Sequence, residues 1–134
     1  MDVMTTQTTV TATVEPRAVA TIDTYIAAWN QTNDTMRAEL AGQALGVDLW
    51  YRDPLLEIDG IAAFVATIGF VQQQYPGHVM ERTSDVDGHH DVARFNWALG
   101  VPGEAPVIAG VDMVKFDADG KLHRIVGFSP EEIV

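Results

Sequence analysis

Apolar residues near the start of the chain recur at the spacing of an amphipathic helix. Between residues 16 and 30 they follow one another at intervals of three or four, which is the period of one helix face. Proline suits a first helical turn, so we predict a helix that begins near Glu15-Pro16 and ends around Asn30–Asn33. The positions on its buried face are Val19, Ile22, Ile26 and Trp29, with Tyr25 beside them.

Two further helices are predicted in the first half of the chain. One covers about residues 34–45, with Asn33 or Asp34 as its N-terminal cap and Gly46 as its stop. The other has the sequence IAAFVATIGFVQQQY, is capped by Asp59 and is broken by Pro76-Gly77. The inward positions are Met36, Leu40 and Leu45 in the first, and Ile61, Phe64, Val65, Ile68, Val71 and Tyr75 in the second.

The rest of the chain has the alternating pattern of β-strands. A short strand is predicted at Leu49–Asp53, where Pro54 ends it. Asp87-Gly88 and Asp119-Gly120 are typical hairpin turns, and the loop VPGEAP separates two further strands. The four later strands are predicted at residues 78–86, 90–99, 107–116 and 121–128, with Ala93, Phe95, Trp97 and Leu99 on one face of the second.

This order of elements predicts an α+β fold. Three N-terminal helices would cover one face of a strongly curved antiparallel sheet and leave a conical cavity between the two layers. Residues 1–14 contain six threonines and no aromatic residue, and we predict a mobile tail there. A chain of 134 residues with no internal repeat or linker predicts a single domain over residues 15–134.

Composition narrows the range of partners. The chain has 8 Lys and Arg against 19 Asp and Glu, a formal net charge of −11. Phosphate groups need clustered cations, so neither nucleic acid nor an anionic membrane surface is expected as a partner. The absence of cysteine excludes disulfides and thiolate chemistry. No apolar run approaches the roughly 20 residues of a membrane span, and the N-terminus lacks a secretory pattern, so we expect a cytoplasmic protein.

Asp112 is the acidic residue with the clearest indication of burial. It shares a face with Val114 and Phe116 in the predicted strand, opposite Lys115. A carboxyl group on an apolar face has a raised pKa, and such groups are frequent at functional sites. A structural aspartate held by a nearby arginine or backbone N–H is the alternative.

Tyr25 and Asp53 are two further candidates. Tyr25 lies four residues before Trp29, so both can face the interior, and a buried tyrosine hydroxyl needs a partner that Asp112 can supply. Asp53 precedes Pro54, which holds the preceding residue extended and can direct its carboxylate into a cavity mouth. Core packing and a surface Asp-Pro turn are the alternatives.

The histidines and Arg94 give weaker evidence for a functional role. The four histidines form no metal-binding motif, so no metal is expected, and His78 is a weak candidate for a general base. Arg94 and Asn96 share one strand face, which is the outer side of the sheet unless a bulge turns Arg94 into the cavity. No serine lies in a nucleophile motif.

Several segments together resemble a known family. The helix TYIAAWN, the strand end RDP, the helix start DGIAAF, the strand RFNWAL and the hairpin GVDMVKFDADGKLHRIVGF resemble the SnoaL-like and ketosteroid isomerase branch of the nuclear transport factor 2-like (NTF2-like) superfamily. The resemblance covers about residues 17–129. It implies a cone-shaped α+β barrel with a deep apolar pocket, often paired into a homodimer through the outer sheet face.

The resemblance also implies a catalytic set. In ketosteroid isomerases an aspartate before a proline moves the proton, and a first-helix tyrosine with a protonated late-strand aspartate holds the oxyanion; the matching positions are Asp53, Tyr25 and Asp112. The apolar site of those enzymes keeps the late-strand carboxylic acid neutral, so that it can donate a hydrogen bond. No cofactor is expected. The side chains expected to contact a small hydrophobic substrate are Trp29, Tyr51, Phe64, Phe95, Trp97, His78 and Phe128.

Three functions stay open at this point. The first is proton abstraction next to a carbonyl, leading to double-bond isomerisation or to the cyclisation of a polyketide; in SnoaL-like cyclases the late-strand aspartate is the acid/base. The second is an epoxide hydrolase-like activity, with water activated by Asp112 and Arg94. The third is a non-catalytic module that binds a hydrophobic ligand, because fold does not determine function.

Overall fold

The computed structural model describes residues 15–129, so the predicted tail at residues 1–14 lies outside the described residues. Three helices and seven strands follow one another along the chain. They are α1 (Pro16–Asn30), α2 (Asp34–Ala44), β1 (Leu45–Arg52), β2 (Glu57–Asp59), α3 (Ile61–Gln74), β3 (Val79–Arg82), β4 (Asp87–His89), β5 (Val92–Gly100), β6 (Ile108–Phe116) and β7 (Leu122–Phe128).

Helix α1 matches its prediction. Pro16 stands in its first turn, and the helix ends at Asn30. Ile22, Ile26 and Trp29 are buried, because the three- and four-residue spacing brings them to the side that faces the sheet. Tyr25 lies on the same side and is 1% exposed.

Helix α2 differs from its prediction on the buried face. Asn33 caps it, accepting a hydrogen bond from the Met36 backbone N–H at 2.9 Å. Met36 itself is half exposed, whereas Arg37 is buried. The Arg37 guanidinium replaces its water shell with bonds to the Gln31 carbonyl oxygen and to two side chains, which makes the burial of its charge possible.

The start of helix α3 also differs. Asp59 does not cap it; Asp59 belongs to β2 and forms an ion pair with Arg52. Gly60 is the N-cap residue and has a φ of +92°, a conformation that glycine adopts without strain. The chain therefore turns from strand to helix through a backbone conformation rather than through a side-chain cap.

The sheet is curved and mixed, not wholly antiparallel as predicted. The strand order is β2-β1-β7-β6-β5-β3, with β4 also paired to β5. Strand β1 is parallel to β7 and all other pairs are antiparallel. Strand β1 also begins at Leu45, directly after α2, because the parallel pairing with β7 extends the short predicted strand backwards. Leu45 therefore opens a strand rather than closing α2.

The predicted turn at Asp87-Gly88 is wrong. Both residues lie in β4, where Gly88 pairs with Ala93, and the chain reverses at His90-Asp91 instead, with His90 at a φ of +52°. A Cβ at position 88 would lie 3.1 Å from the Ala93 Cβ. Gly88 is therefore needed for the close packing of β4 against β5 rather than for the turn.

The core lies between the helices and the concave side of the sheet. Ala93, Phe95 and Trp97 of β5 are buried on that side, as the alternation predicts. None of the helices within residues 15–129 has the length and hydropathy that a membrane crossing requires.

Candidate active site

Asp112 lies at the centre of the sheet and faces the core. It is in β6, paired with Phe95 of β5 and Gly127 of β7, and only 1% of its surface is exposed. Lys115 and Met113 point to the other side of the strand. The prediction of an inward carboxyl group is confirmed.

Two buried donors hold the Asp112 carboxyl group. The Tyr25 hydroxyl of α1 donates to Oδ2 at 3.1 Å, and the Trp97 indole N–H of β5 donates to Oδ1 at 2.9 Å. The helix layer and the sheet layer therefore meet at this carboxyl group. The predicted contact between Tyr25 and Asp112 is present.

The pKa of Asp112 is raised to about 7. Burial is the main cause, because it removes the water that solvates the charged form, and the negative charge of Asp53 adds to it. The hydrogen bonds from Tyr25 and Trp97 act in the opposite direction. Asp112 thus changes its protonation state near neutral pH.

Asp53 lies in the turn between β1 and β2. Its Oδ1 accepts the backbone N–H groups of Leu55 and Leu56, both at 2.8 Å, and its Oδ2 accepts the Tyr51 hydroxyl at 2.7 Å. The residue is half-buried. The turn and the tyrosine together fix the direction of the carboxylate, so Asp53 has the structural role in an Asp-Pro turn that the alternative interpretation gave it.

Gly127 lets the two carboxyl groups approach each other. A Cβ at this position of β7 would lie 2.9 Å from Asp112 Oδ1, 3.3 Å from the Asp53 Cβ and 3.7 Å from the Tyr51 hydroxyl oxygen. The first of these distances is too short for a Cβ, so the Asp112 carboxyl group would have to move away from a side chain at this position. Because Gly127 has no side chain, Asp53, Tyr51 and Asp112 can lie close together around this position.

An aromatic cluster surrounds this group. Phe64 of α3 contacts Tyr25, Trp29 and Tyr51 with ring centroids 5.5–5.9 Å apart, and Phe95 lies 6.5 Å from Tyr25. Burial raises the pKa of Tyr25 and of Tyr51, and the negative charge of Asp112 raises both further. Both hydroxyls therefore remain proton donors at any physiological pH.

Five of the seven predicted substrate contacts belong to this interior, and two do not. Trp29, Tyr51, Phe64, Phe95 and Trp97 are buried there. His78 lies against Tyr75, with its Nδ1 3.0 Å from the Pro76 carbonyl oxygen. Phe128 is half exposed and points away from Asp112, because side chains alternate along β7 and Gly127 holds the inner position.

Arg94 does not enter the interior. It extends from the outer face of the sheet and forms an ion pair with Asp87 at 3.0 Å, since no bulge interrupts the pairing of β5 with β6. Its neighbour across the strands is Met113, not Asp112. The predicted partnership of Arg94 and Asp112 in an epoxide hydrolase-like site is therefore wrong.

Two concave surfaces lie away from this group. One cleft of about 430 Å³ runs between α1 and β3, and another of about 400 Å³ lies between α2 and α3. Neither is lined by Tyr25, Asp53 or Asp112. Within residues 15–129, no group of three or more His, Asp or Glu side chains is arranged to hold a metal ion.

Sequence reasoning missed two contributions to the site. Trp97 was predicted as an apolar contact, yet it donates a hydrogen bond to Asp112, and the two-residue alternation that places both inward was the available signal. Gly127 was not singled out, because its importance depends on the pairing of β7 with β6 and β1. The buried Trp29 indole N–H makes no hydrogen bond of normal geometry among the described residues, but it is close enough to the Tyr25 hydroxyl to oppose the rise in the pKa of Tyr25.

The structure of this chain is similar to several solved structures. A protein from Agrobacterium tumefaciens str. C58, named as a proposed isomerase of the SnoaL-like family, is 32% identical, with 87% of this chain and 99% of that chain covered and a TM-score of 0.80. A proposed ketosteroid isomerase from Kribbella flavida DSM 17836 is 21% identical, with 85% and 78% covered and a TM-score of 0.63. A proposed SnoaL-like polyketide cyclase from Jannaschia sp. CCS1 is 14% identical, with 90% of both chains covered and a TM-score of 0.68.

The three helices and the curved mixed sheet have the α+β architecture of NTF2-like proteins. The chain belongs to the SnoaL-like family. The two less similar structures share its fold. No family model and no curated protein matches the chain.

Proposed function

We propose that this protein is a cofactor-independent acid/base enzyme that acts on a small hydrophobic carbonyl compound. It would remove a proton from the carbon next to the carbonyl and stabilise the enolate, which leads to double-bond isomerisation or to ring closure. The observation that carries the proposal is the buried Tyr25–Asp112–Trp97 network beside the Asp53 carboxylate.

Asp53 is the proposed general base. Its three hydrogen bonds fix the carboxylate, and it is the less buried of the two aspartates, so a substrate can reach it. A base must lie within hydrogen-bonding distance of the proton that it removes. Substrate would therefore displace the Tyr51 hydroxyl from Oδ2.

Tyr25, supported by neutral Asp112, is the proposed donor to the enolate oxygen. A neutral carboxylic acid does not repel a developing negative charge, and the pKa of about 7 leaves about half of Asp112 neutral at pH 7. Donors aimed at developing charge in a site without water are worth about 10²–10³-fold in rate.

The interior also indicates the class of substrate. The groups around Asp112 are aromatic rings and no cationic side chain bonds to it within the described residues, so a neutral, largely apolar molecule fits better than an anion. Because the rings pack against one another, substrate entry requires this cluster to open. A binding-induced rearrangement of side chains is part of the proposal.

Solvent-deuterium exchange tests the proposal directly. A panel of small cyclic and unsaturated ketones is incubated with the protein in D₂O, and deuterium incorporation next to the carbonyl is followed by NMR. Asp53→Asn should lower the rate by about 10²–10⁴-fold, the usual contribution of a positioned base. Tyr25→Phe should lower it as well, because the enolate loses its donor.

Glu57→Gln is the matched control, because Glu57 lies in the same hairpin and is exposed. It should exchange at the wild-type rate. Unchanged exchange in both Asp53→Asn and Tyr25→Phe, with a ketone that the wild type turns over, would exclude this mechanism.

A cyclase-type reaction with Asp112 as the acid/base is the second candidate. It is favoured by the pKa of about 7, since an acid/base works best when its pKa lies near the working pH. In that case Asp112→Asn abolishes exchange, whereas Asp53→Asn retains it.

A non-catalytic module that binds a hydrophobic ligand is the third. The close packing of the aromatic rings favours this function, because an interior that must open before a ligand enters fits slow ligand binding better than rapid catalysis. Apolar ligand binding that survives both aspartate substitutions, without exchange of any ketone, would support this function.

We also propose that the outer face of the sheet forms a homodimer. Across three strands it presents Asn96, Val111 and Phe128 in one row, and Arg94, Met113 and Val126 in the next. Met113 and Phe128 are each 50% exposed. An apolar patch rimmed by polar groups on a sheet is typical of an interaction surface.

A further inference from the structure

Each oxygen of the Asp112 carboxyl group has one hydrogen-bond partner, and the two partners differ in kind. Oδ1 faces the Trp97 indole N–H at 2.9 Å, and Oδ2 faces the Tyr25 hydroxyl at 3.1 Å. With 1% exposure, water does not offer a third partner. The position of the proton on neutral Asp112 therefore depends on these two groups alone.

Only one of the two partners can accept a hydrogen bond. An indole N–H donates and has no acceptor, whereas a tyrosine hydroxyl does both. A proton on Oδ1 would find no acceptor in Trp97, and it would weaken the bond from the indole N–H, because a protonated carboxyl oxygen is a poorer acceptor than a carbonyl oxygen. A proton on Oδ2 points at the Tyr25 oxygen and leaves the bond from Trp97 intact.

We propose that Trp97 is a positioning residue that confines the proton of neutral Asp112 to Oδ2, so that Tyr25 accepts it and turns its own hydrogen toward the substrate oxygen. The last step rests on the proposed function; the position of the proton does not. No proton is transferred: the hydrogen bond between Asp112 and Tyr25 reverses direction, and each group keeps its own hydrogen. Asp112 then supports the substrate site through Tyr25 rather than by direct contact.

Among the described residues, only Tyr25 and Trp97 form hydrogen bonds with the Asp112 carboxyl group. Tyr51 of β1 and Asp53 of the following turn approach it through the gap at Gly127, and Tyr51 donates to Asp53. Phe95 and Gly127 offer no polar side chain. Among the described residues, no Lys, Arg or His forms an ion pair with Asp112, so no cation competes with the proton.

Infrared spectroscopy of the free protein tests the position of the proton. The carbonyl band of protonated Asp112 is assigned by its loss in Asp112→Asn. In the wild type this carbonyl is Oδ1, and the bond from Trp97 holds its stretching frequency low. Trp97→Phe should raise the frequency and should also raise the pKa of Asp112, since the hydrogen bond from Trp97 favours the charged form of the carboxyl group.

Trp50→Phe is the matched control. The Trp50 ring lies against the Arg52 and Arg124 guanidinium groups and makes no hydrogen bond to Asp112, so the carbonyl frequency should stay at the wild-type value. Equal shifts in the two variants, or no shift in Trp97→Phe, would overturn the proposal.

A measurement on the wild type keeps the test independent of the stability of Trp97→Phe. The indole N–H of Trp97, followed by NMR through the titration of Asp112, should stay protected from exchange with solvent on both sides of the pKa. Loss of that protection when Asp112 becomes protonated would show that the bond to Oδ1 breaks, and would contradict the proposal.

The role of Tyr25 is tested separately with Asp112→Asn and Asp112→Leu. Asparagine reproduces the proposed neutral form, with its oxygen toward Trp97 and its NH₂ toward Tyr25, and leucine reproduces neither. Deuterium exchange in the asparagine variant should remain at least tenfold above that in the leucine variant and lose its dependence on pH near 7. If both are equally slow while the spectroscopic tests hold, the proton position stands and the proposed function fails.

Discussion

Asp112 connects folding stability to pH at the level of a single residue. Its pKa is raised from 3.8 to about 7 in the folded protein, so between these values the unfolded chain releases a proton that the folded chain keeps. The contribution of Asp112 to the free energy of unfolding is fully present below pH 4 and declines as the pH rises to 7. Above pH 7 no further loss occurs.

Asp112→Asn should remove this dependence. Between pH 5 and pH 8 the difference in unfolding free energy between variant and wild type should move by about 3 kcal/mol in favour of the variant, two pKa units at 1.36 kcal/mol each. Urea denaturation at the two pH values measures it. Asp59→Asn, at an exposed carboxylate, is the control; a difference that is the same at both pH values would refute the buried titration.

Gly127 is a second residue whose substitution should lower the free energy of unfolding. In Gly127→Ala the new methyl group would lie 2.9 Å from Asp112 Oδ1, so the carboxyl group must move away from it. Such crowding costs about 1–3 kcal/mol in a packed core, and we expect a matching fall in the urea midpoint together with weaker ketone exchange.

Gly42→Ala supplies the comparison for Gly127→Ala. Position 42 is inside α2 and a Cβ there would contact nothing within 4 Å. Alanine should raise stability by up to about 1 kcal/mol, because it is the better helix former. A tolerated Gly127→Ala with unchanged exchange would mean that close approach at this point is unimportant.

At the level of elements, the two helix starts make contrasting predictions. Asn33→Ala removes the side-chain cap of α2 and should cost about 1 kcal/mol. Asp59→Ala removes no cap from α3, because Gly60 begins that helix through its backbone. It should cost less than Asn33→Ala, because it removes only an exposed ion pair, and such pairs contribute about 0–1 kcal/mol. Equal losses in thermal or urea unfolding would contradict this assignment of the caps.

The type of each element was easier to predict from the local sequence pattern than the residues at which the element begins and ends. The period of α1 and the alternation of β5 both survive in the fold, because each is set by which side of the element meets the core. The turn after β4 did not follow, since Gly88 satisfies a strand contact with Ala93 that the local sequence does not reveal. Arg37 was equally hidden, because the partners that bury it come from α3 and the preceding loop.

At the level of the whole molecule, the proposed dimer gives a measurable prediction. Sedimentation equilibrium should report a dimer for the wild type, and Met113→Glu should shift it toward monomer, because the new charge would be buried in the apolar interface. Val47→Glu is the control, since Val47 is 94% exposed on β1. A monomeric wild type at the concentrations of the assay would rule out the proposed interface.

The local sequence determined much of this protein. Helical and alternating spacing specified the three helices and strands β5, β6 and β7, but the strand predicted at residues 78–86 ends at Arg82 and β4 follows it. The spacing also specified the inward direction of Asp112 and the outward direction of Lys115, because side-chain direction repeats with the element itself. The order of short motifs was sufficient to indicate the SnoaL-like family. These conclusions depend on residues that are neighbours along the chain.

Tertiary structure decided the rest. The parallel pairing of β1 with β7 brings the Asp53 turn beside Gly127, and the pairing of β6 with both its neighbours brings Trp97 and Gly127 to Asp112. These residues are separated along the chain, so no local period relates them. Burial, the two hydrogen bonds and the raised pKa of Asp112 exist only once helix α1 and the sheet have closed over the carboxyl group.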